Sequence, residues 1–312
     1  MVKSLIKLKK VEIIFLAIIL IVFSLVAGKY FYKFTLKNYA SYQELRRLGQ
    51  IEKERQKYTC PEDMLTIVVA GGKVCRTEVA DSVYKTIFDT YPFKSNGKEQ
   101  IYEFFSEGDV ESANQILANN IPIERYGYTK VSDPISWTED PLEDRYWRFL
   151  FYGFRPVQHL YFAFDQTNDK TYLKKAEEMT ISFIDYGTDK PHAWDDFHGV
   201  SFRTMYLIKT WWMLRENNLL TYEVNEKILK ALEAHGDFLA DPNHYDKGYN
   251  HGLNEAAALY LLAVNFPDFT HASEWLELSK NRLSDSLVTV VDTDGVLIEN
   301  SPYYHFYTLE KY

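Results

Sequence analysis

A chain of 312 residues with 44 Asp and Glu against 35 Lys and Arg carries a formal net charge of −9. That balance argues against nucleic acid as a partner, because phosphate binding leans on Lys and Arg. The charge is also split: residues 1–58 hold 12 basic and 4 acidic side chains, whereas the remainder holds 23 and 40, a balance of −17. Such an acidic body weighs against a very densely sulfated glycan, and leaves a uronate polymer of modest charge open where the cleft is locally basic.

Met1 to Lys10 is a basic segment with Lys3, Lys7, Lys9 and Lys10. Residues 11–28 follow, apolar from Ile13 to Val26 except for Ser24, and are read as a transmembrane anchor with Tyr30, Phe31 and Tyr32 at the interface. A cleaved signal ending at Val26-Ala27-Gly28 is the alternative. The body is expected outside the cytoplasm, periplasmic or on the cell surface, and secreted if the segment is cleaved. Residues 29–78 read as a juxtamembrane stalk, charged over Asn38 to Lys57, followed by a small Cys-containing segment. Thr66 to Ala70 has strand character and Gly71-Gly72 marks a turn. Cys60 and Cys75 either pair or remain thiols; no CxxC is present, so no metal site is expected, and no cofactor.

From residue 79 to 312 the apolar period is helical almost throughout. It predicts helices over 79–91, 98–107, 110–119, 143–166, 170–186, 198–217, 223–240, 251–265 and 272–290, with Pro156 bending or splitting the fourth. Helices of this length with short links predict an all-α domain of helical hairpins wound into an (α/α) toroid, the connecting ends lining a cleft. The chain stops just inside what reads as a new helix at Thr308–Tyr312, so the toroid is expected to be incomplete. The 24 Tyr, 20 Phe and 6 Trp mostly suit core packing; any that face the cleft suit sugar rings.

The chemistry concentrates late in the chain. Asn250-His251-Gly252 opens an apolar helix, and Glu299-Asn300-Ser301-Pro302-Tyr303-Tyr304-His305 opens another. An amide and an imidazole at a helix start suit the charge that develops on a carboxylate when the neighbouring carbon loses a proton, and a phenol can move that proton. Each has a plainer account. Asn250 alone is a good N-cap. His251 and Glu255, four apart, suit an ion pair. Tyr303 and Tyr304 suit packing at a helix start. His198, near Trp194, either lines the cleft or sits satisfied in the core. Arg203 either meets a substrate carboxylate or pairs with Asp195 or Asp196. Glu299 suits a supporting acid that orients His251 or His305.

Trp137 to Tyr307 resembles the heparinase II/III-like and alginate lyase superfamily in its N-terminal helical domain. The resemblance is carried, in order, by Trp137…Pro141…Tyr146-Trp147-Arg148-Phe149-Leu150, Leu160-Tyr161-Phe162-Ala163-Phe164…Thr167-Asn168-Asp169, and Trp194-Asp195-Asp196-Phe197-His198…Arg203. Asn250-His251, Phe266-Pro267…Trp275…Arg282-Leu283 and the Glu299–His305 segment complete it. Phe164 and Asn168 depart from the family's usual Tyr and Gly, and Phe197 is an extra residue. Six weak motifs in order make a fairly specific signal, and residues 1–130 lie outside it. It implies a polysaccharide lyase that cleaves a uronate glycan by β-elimination. Tyr304 would be the proton-transfer residue and Asn250 and His251 the carboxylate neutralisers, with Trp194, His198, Arg203, Tyr303 and His305 at the substrate and Glu255 and Glu299 behind them. Such enzymes usually carry more helix and a large β-sandwich after the toroid. Two other readings stay open: an (α/α) toroid glycoside hydrolase using Asp195 or Asp196 with Glu299, and a membrane-tethered glycan-binding or inactive truncated relative.

Overall fold

The computed structural model describes residues 81–91, 107–248 and 250–290, together with the backbone of two short strands. Those strands, β1 (Met64–Val69) and β2 (Gly72–Thr77), form an antiparallel hairpin with Val69 opposite Gly72. The sequence predicts the first strand, over Thr66 to Ala70, but not the second, and Gly72 belongs to that second strand and not to the turn. Nine helices follow among the described residues: α1 (Asp81–Thr90), α2 (Val110–Leu117), α3 (Arg145–Tyr152), α4 (Val157–Thr167), α5 (Lys170–Ser182), α6 (Phe197–Glu216), α7 (Tyr222–Ala240), α8 (Asn250–Asn265) and α9 (Ala272–Val290). The expected helix over 98–107 lies almost wholly outside the described residues, as do the segment 11–28, the stalk and Cys60. Among the described residues no helix is long and apolar enough to cross a membrane.

Capping sets most starts. Asp109, Asp144, Asp169, Asp196 and Thr221 each accept a first-turn backbone N–H, satisfying donors that have no intrahelical acceptor. The predicted 143–166 helix is split in two, because Gly153 and Phe154, the latter at φ +64°, interrupt it before Pro156. Left-handed Asn168 and Asn218 turn the chain between α4 and α5 and between α6 and α7. The all-α expectation needs one further correction. Asn120–Ile123 (β3) and Gly127–Lys130 (β4) form a second antiparallel hairpin. In β3 Ile121 and Ile123 alternate inward, but four residues, one of them Pro122, are too few to mark a strand in the sequence.

The core is organised on α6. It contacts α3, α5, α7 and α8, and 18 of its 20 residues are buried, so it has no solvent face. Trp211 and Trp212 are anchored at Nε1 by Asn225 and Asn265, at 2.9 and 2.7 Å, which lets two indoles be buried without an orphaned donor. Each fully buried large apolar side chain here contributes about 1.5–3 kcal/mol. The α8–α9 hairpin packs on this hub, and Trp275 of α9 lies so close over α7 that a Cβ on Gly236 would meet its ring at 2.4 Å. Antiparallel helical hairpins are thus the building unit, as the periodicity predicts.

Candidate active site

Three helices point their N-terminal ends at one open cleft of about 850 Å³. Helix α3 brings Arg145, Tyr146 and Phe149, α6 brings His198 and Phe202, and α8 brings Asn250 and His251. Arg125 from the β3–β4 turn and Arg155 from the α3–α4 link also line it. Helix N-termini carry partial positive charge and outward N–H groups, so the floor favours an anion. Asp144 and Asp196 cap α3 and α6 and consume that advantage there. The first residues of α8, Asn250 and His251, bring no carboxylate of their own to this end, and the Asp246 carboxylate stands beside His251.

Local packing explains the Asn-His-Gly sequence. The 241–248 loop folds back against the first turn of α8, and a Cβ on Gly252 would lie 2.4 Å from the Asp246 carbonyl oxygen. Only glycine admits that approach. It brings the Asp246 carboxylate to 3.5 Å from His251 Nδ1, and the His251 ring stacks on His198 with centroids 4.3 Å apart. His198 is in turn stacked on Phe149 at 4.8 Å.

The tautomer of His198 follows from its neighbour. Asn254 is fully buried, and its amide Nδ2 donates both to the Asn250 carbonyl oxygen at 2.9 Å and to His198 Nε2 at 3.0 Å. The first bond fixes which end of the amide is the nitrogen, so His198 Nε2 accepts and the ring proton sits on Nδ1. Burial first, and then the His251 ring, hold the His198 imidazole well below its ordinary range, so it is neutral.

Asn250, His251 and His198 are therefore brought together. Arg203 is not. It is fully buried and donates to the Tyr152 carbonyl at 2.7 Å, the Ala193 carbonyl at 2.6 Å and His235 Nε2 at 3.0 Å. Its guanidinium lies 4.5 Å from the Phe183 ring centre. Neither a substrate contact nor the alternative ion pair is made: Asp195 holds His192 at 2.8 Å and Asp196 meets Arg145 at 3.3 Å. Trp194 is likewise a core residue, its Nε1 donating to the Thr188 carbonyl at 2.9 Å and its ring against His235 and Phe238. Glu255 does not pair with His251. It turns inward, fully buried, and one oxygen accepts the Asp246 N–H at 2.8 Å. Tyr303, Tyr304, His305 and Glu299 lie outside the described residues.

Residues that the sequence reading did not single out are Arg125, Arg145, Arg155 and Asn254. Asn254 had a signal, standing four residues after Asn250 on the same helix face. The arginines are scattered in the chain, and only the fold collects them. They line the cleft together with Glu124, Asp144 and Asp196, and Arg145 is paired with Asp196 at 3.3 Å. Among the described residues no group of three or more His, Cys, Asp or Glu is placed to hold a metal ion.

Two stability predictions follow from these placements. Arg203→Met strands two carbonyls and a histidine nitrogen, and is expected to cost about 3–5 kcal/mol in chemical denaturation. A variant of undiminished stability with only weaker glycan binding would return Arg203 to the substrate. Burial raises the Glu255 carboxyl to about 8, and its second oxygen lacks a hydrogen-bond partner among the described residues. The folded state thus holds a proton that the unfolded chain releases near pH 4.5, so Glu255 lowers stability progressively as pH rises from there through 8. Glu255→Gln should match the wild type in Tm at pH 4.5 and exceed it at pH 8; equal Tm values at both would show that Glu255 is ionised without cost.

Comparison with known proteins places this scaffold. Residues 80–312 match the heparinase II/III N-terminus family, and the chain belongs to that family. It is 25% identical over 205 residues to a heparin-sulfate lyase of Pedobacter heparinus, covering 62% of this chain and 30% of that one. The crystal structure of heparan sulfate lyase from Pedobacter heparinus superposes with a TM-score of 0.53 at 20% identity, covering 85% of this chain and 37% of that one. A heparinase III crystal structure gives 0.60 at 19%, covering 74% and 37%. The fold is thus that of the heparinase III neighbours, and the chain spans about a third of the length of these proteins.

Proposed function

We propose that this chain is the helical part of a polysaccharide lyase that cleaves a uronate-containing glycan of the heparan type by β-elimination. The observation that carries the reading is the placement of Asn250 and His251 together at the N-terminal end of α8, on a cleft where Arg125, Arg145 and Arg155 stand among Glu124, Asp144 and Asp196. In this mechanism the uronate carboxylate sits against the Asn250 amide and His251, and its charge is offset as C5 gives up a proton. The Tyr304 phenolate takes that proton. The electron pair forms the C4–C5 double bond, the C4–oxygen bond breaks, and the departing oxygen takes a proton back from Tyr304. A tyrosine is a poor base near neutral pH unless positive charge lies close, and His305 or the cleft arginines would supply it.

The hairpins form the opening part of an (α/α) toroid over 79–312, behind a basic segment (1–10), an anchor or signal (11–28) and a stalk (29–78), with the body outside the cytoplasm. The glycan is acidic and sulfated, in keeping with what the relatives' names describe. The hydrolase alternative is disfavoured because Asp195 is engaged by His192 and Asp196 caps α6.

The test is incubation of the protein with heparan sulfate and other uronate polymers, following the ultraviolet absorbance of the new C4–C5 double bond. A lyase gives that absorbance. New reducing ends without it would mean hydrolysis, and neither signal with retained binding would mean a glycan-binding protein.

A further inference from the structure

A second hollow of about 400 Å³ lies between the β3–β4 hairpin and the start of α4. Glu124, Arg125, Leu150 and Arg155 border both this hollow and the cleft, so the two adjoin along that wall. Its lip carries Tyr128, which is 49% exposed although its ring is large and apolar on both faces. The Tyr128 hydroxyl stands 3.4 Å from Ser112 Oγ, which ties the ring to α2. On another wall is His159, whose Nδ1 accepts the Asp109 backbone N–H at 3.1 Å. The Asp109 carboxylate also lies 3.2 Å from Nδ1, but the backbone N–H is the hydrogen-bond partner there, so the ring proton of the neutral form sits on Nε2, which makes no hydrogen bond among the described residues. Burial lowers the His159 imidazole below its ordinary range and so favours that neutral form.

An exposed aromatic face, an N–H donor and two arginines shared with the neighbouring cleft, set beside the acceptors Glu107 and Glu124, are complementary to one chemical class. Pyranose rings present an apolar C–H face to an aromatic ring and hydroxyl or sulfate oxygens to donors. We propose that this hollow is a second saccharide subsite of the same groove, with Tyr128 as the stacking face, His159 Nε2–H as the donor and Arg155 facing an anionic group at the junction. It takes the sugar next along the chain from the uronate at Asn250 and His251. The assignment rests on reading the cleft as a uronate-glycan site.

The experiment is calorimetric titration of the full chain, carrying Tyr304→Phe to suppress turnover, with a uronate–glucosamine disaccharide and tetrasaccharide. The tetrasaccharide is expected to bind about three- to tenfold more tightly, the size of one aromatic contact. Tyr128→Ala, or Tyr128→Leu if the first loses helical content, should erase that length-dependent gain. Tyr186→Ala, at an exposed tyrosine bordering neither hollow, should leave it intact. A gain that survives at Tyr128→Ala and Tyr128→Leu overturns the subsite, as does disaccharide binding with no gain for the tetrasaccharide. Failure of both sugars to bind instead overturns the glycan reading of the cleft, and the subsite with it.

Discussion

Tyr304→Phe is expected to lower the elimination rate by about 10²–10⁴ while leaving the fold in place, because proton transfer loses its agent. The change removes one oxygen and keeps nearly all of the ring's packing area, so stability should move by no more than about 1 kcal/mol, the usual net worth of a hydrogen bond. On the helix that the sequence predicts here, Tyr303 is expected to be offset from Tyr304 by about 100°, so Tyr303→Phe should be mild. Initial rates of double-bond formation, with thermal melting of each variant, separate the two. The reverse pattern would exchange their roles. Small and equal losses at both would leave the tyrosines as packing residues and end the mechanism as drawn. Substrate affinity adds a second discriminator: a proton-transfer residue lowers kcat and leaves KM nearly unchanged, whereas a stacking residue raises KM.

How far the sequence could be read depended on what each feature needed. Helix positions were legible because the apolar period is local to each segment, whereas the capping side chains Asp144, Asp196 and Thr221 were not recognised as starts. Asn250, His251 and His198 were singled out because polar residues at the head of an apolar helix suit a functional end, with a cap, an ion pair and a core position as their plainer accounts, and the fold brings all three to one cleft. Arg203 misled for the opposite reason. Helix α6 is buried all round, so no solvated face exists against which to judge which way a cation points. Its satisfaction comes from the Tyr152 and Ala193 carbonyls, and a backbone oxygen from another segment leaves no trace in a residue pattern. Glu255 misled similarly: the i, i+4 spacing to His251 was right, but the fold supplied the Asp246 N–H as a nearer partner. The cleft arginines were illegible because Arg125, Arg145 and Arg155 stand on three different segments, one of them at the turn of a hairpin too short to announce itself.

Asn250→Ala should depress elimination by about 10²–10³, the loss seen when one donor to a developing anion is removed. The bond that Asn254 makes goes to the Asn250 backbone carbonyl, which alanine retains, so the His198 tautomer and the first turn of α8 are preserved. Asn250→Asp is the sharper companion. It keeps the size and replaces a donor with a like charge facing the substrate carboxylate, so it should be worse than alanine near neutral pH, although aspartate is the better residue at a helix start. If Asn250 merely begins the helix, the order inverts: aspartate would be harmless and alanine would lose stability rather than rate. Retention of activity within about twofold in Asn250→Ala would reduce Asn250 to that role. The pair of variants thus separates charge neutralisation from capping by the direction of their difference, with the alanine variant's melting temperature as the internal check.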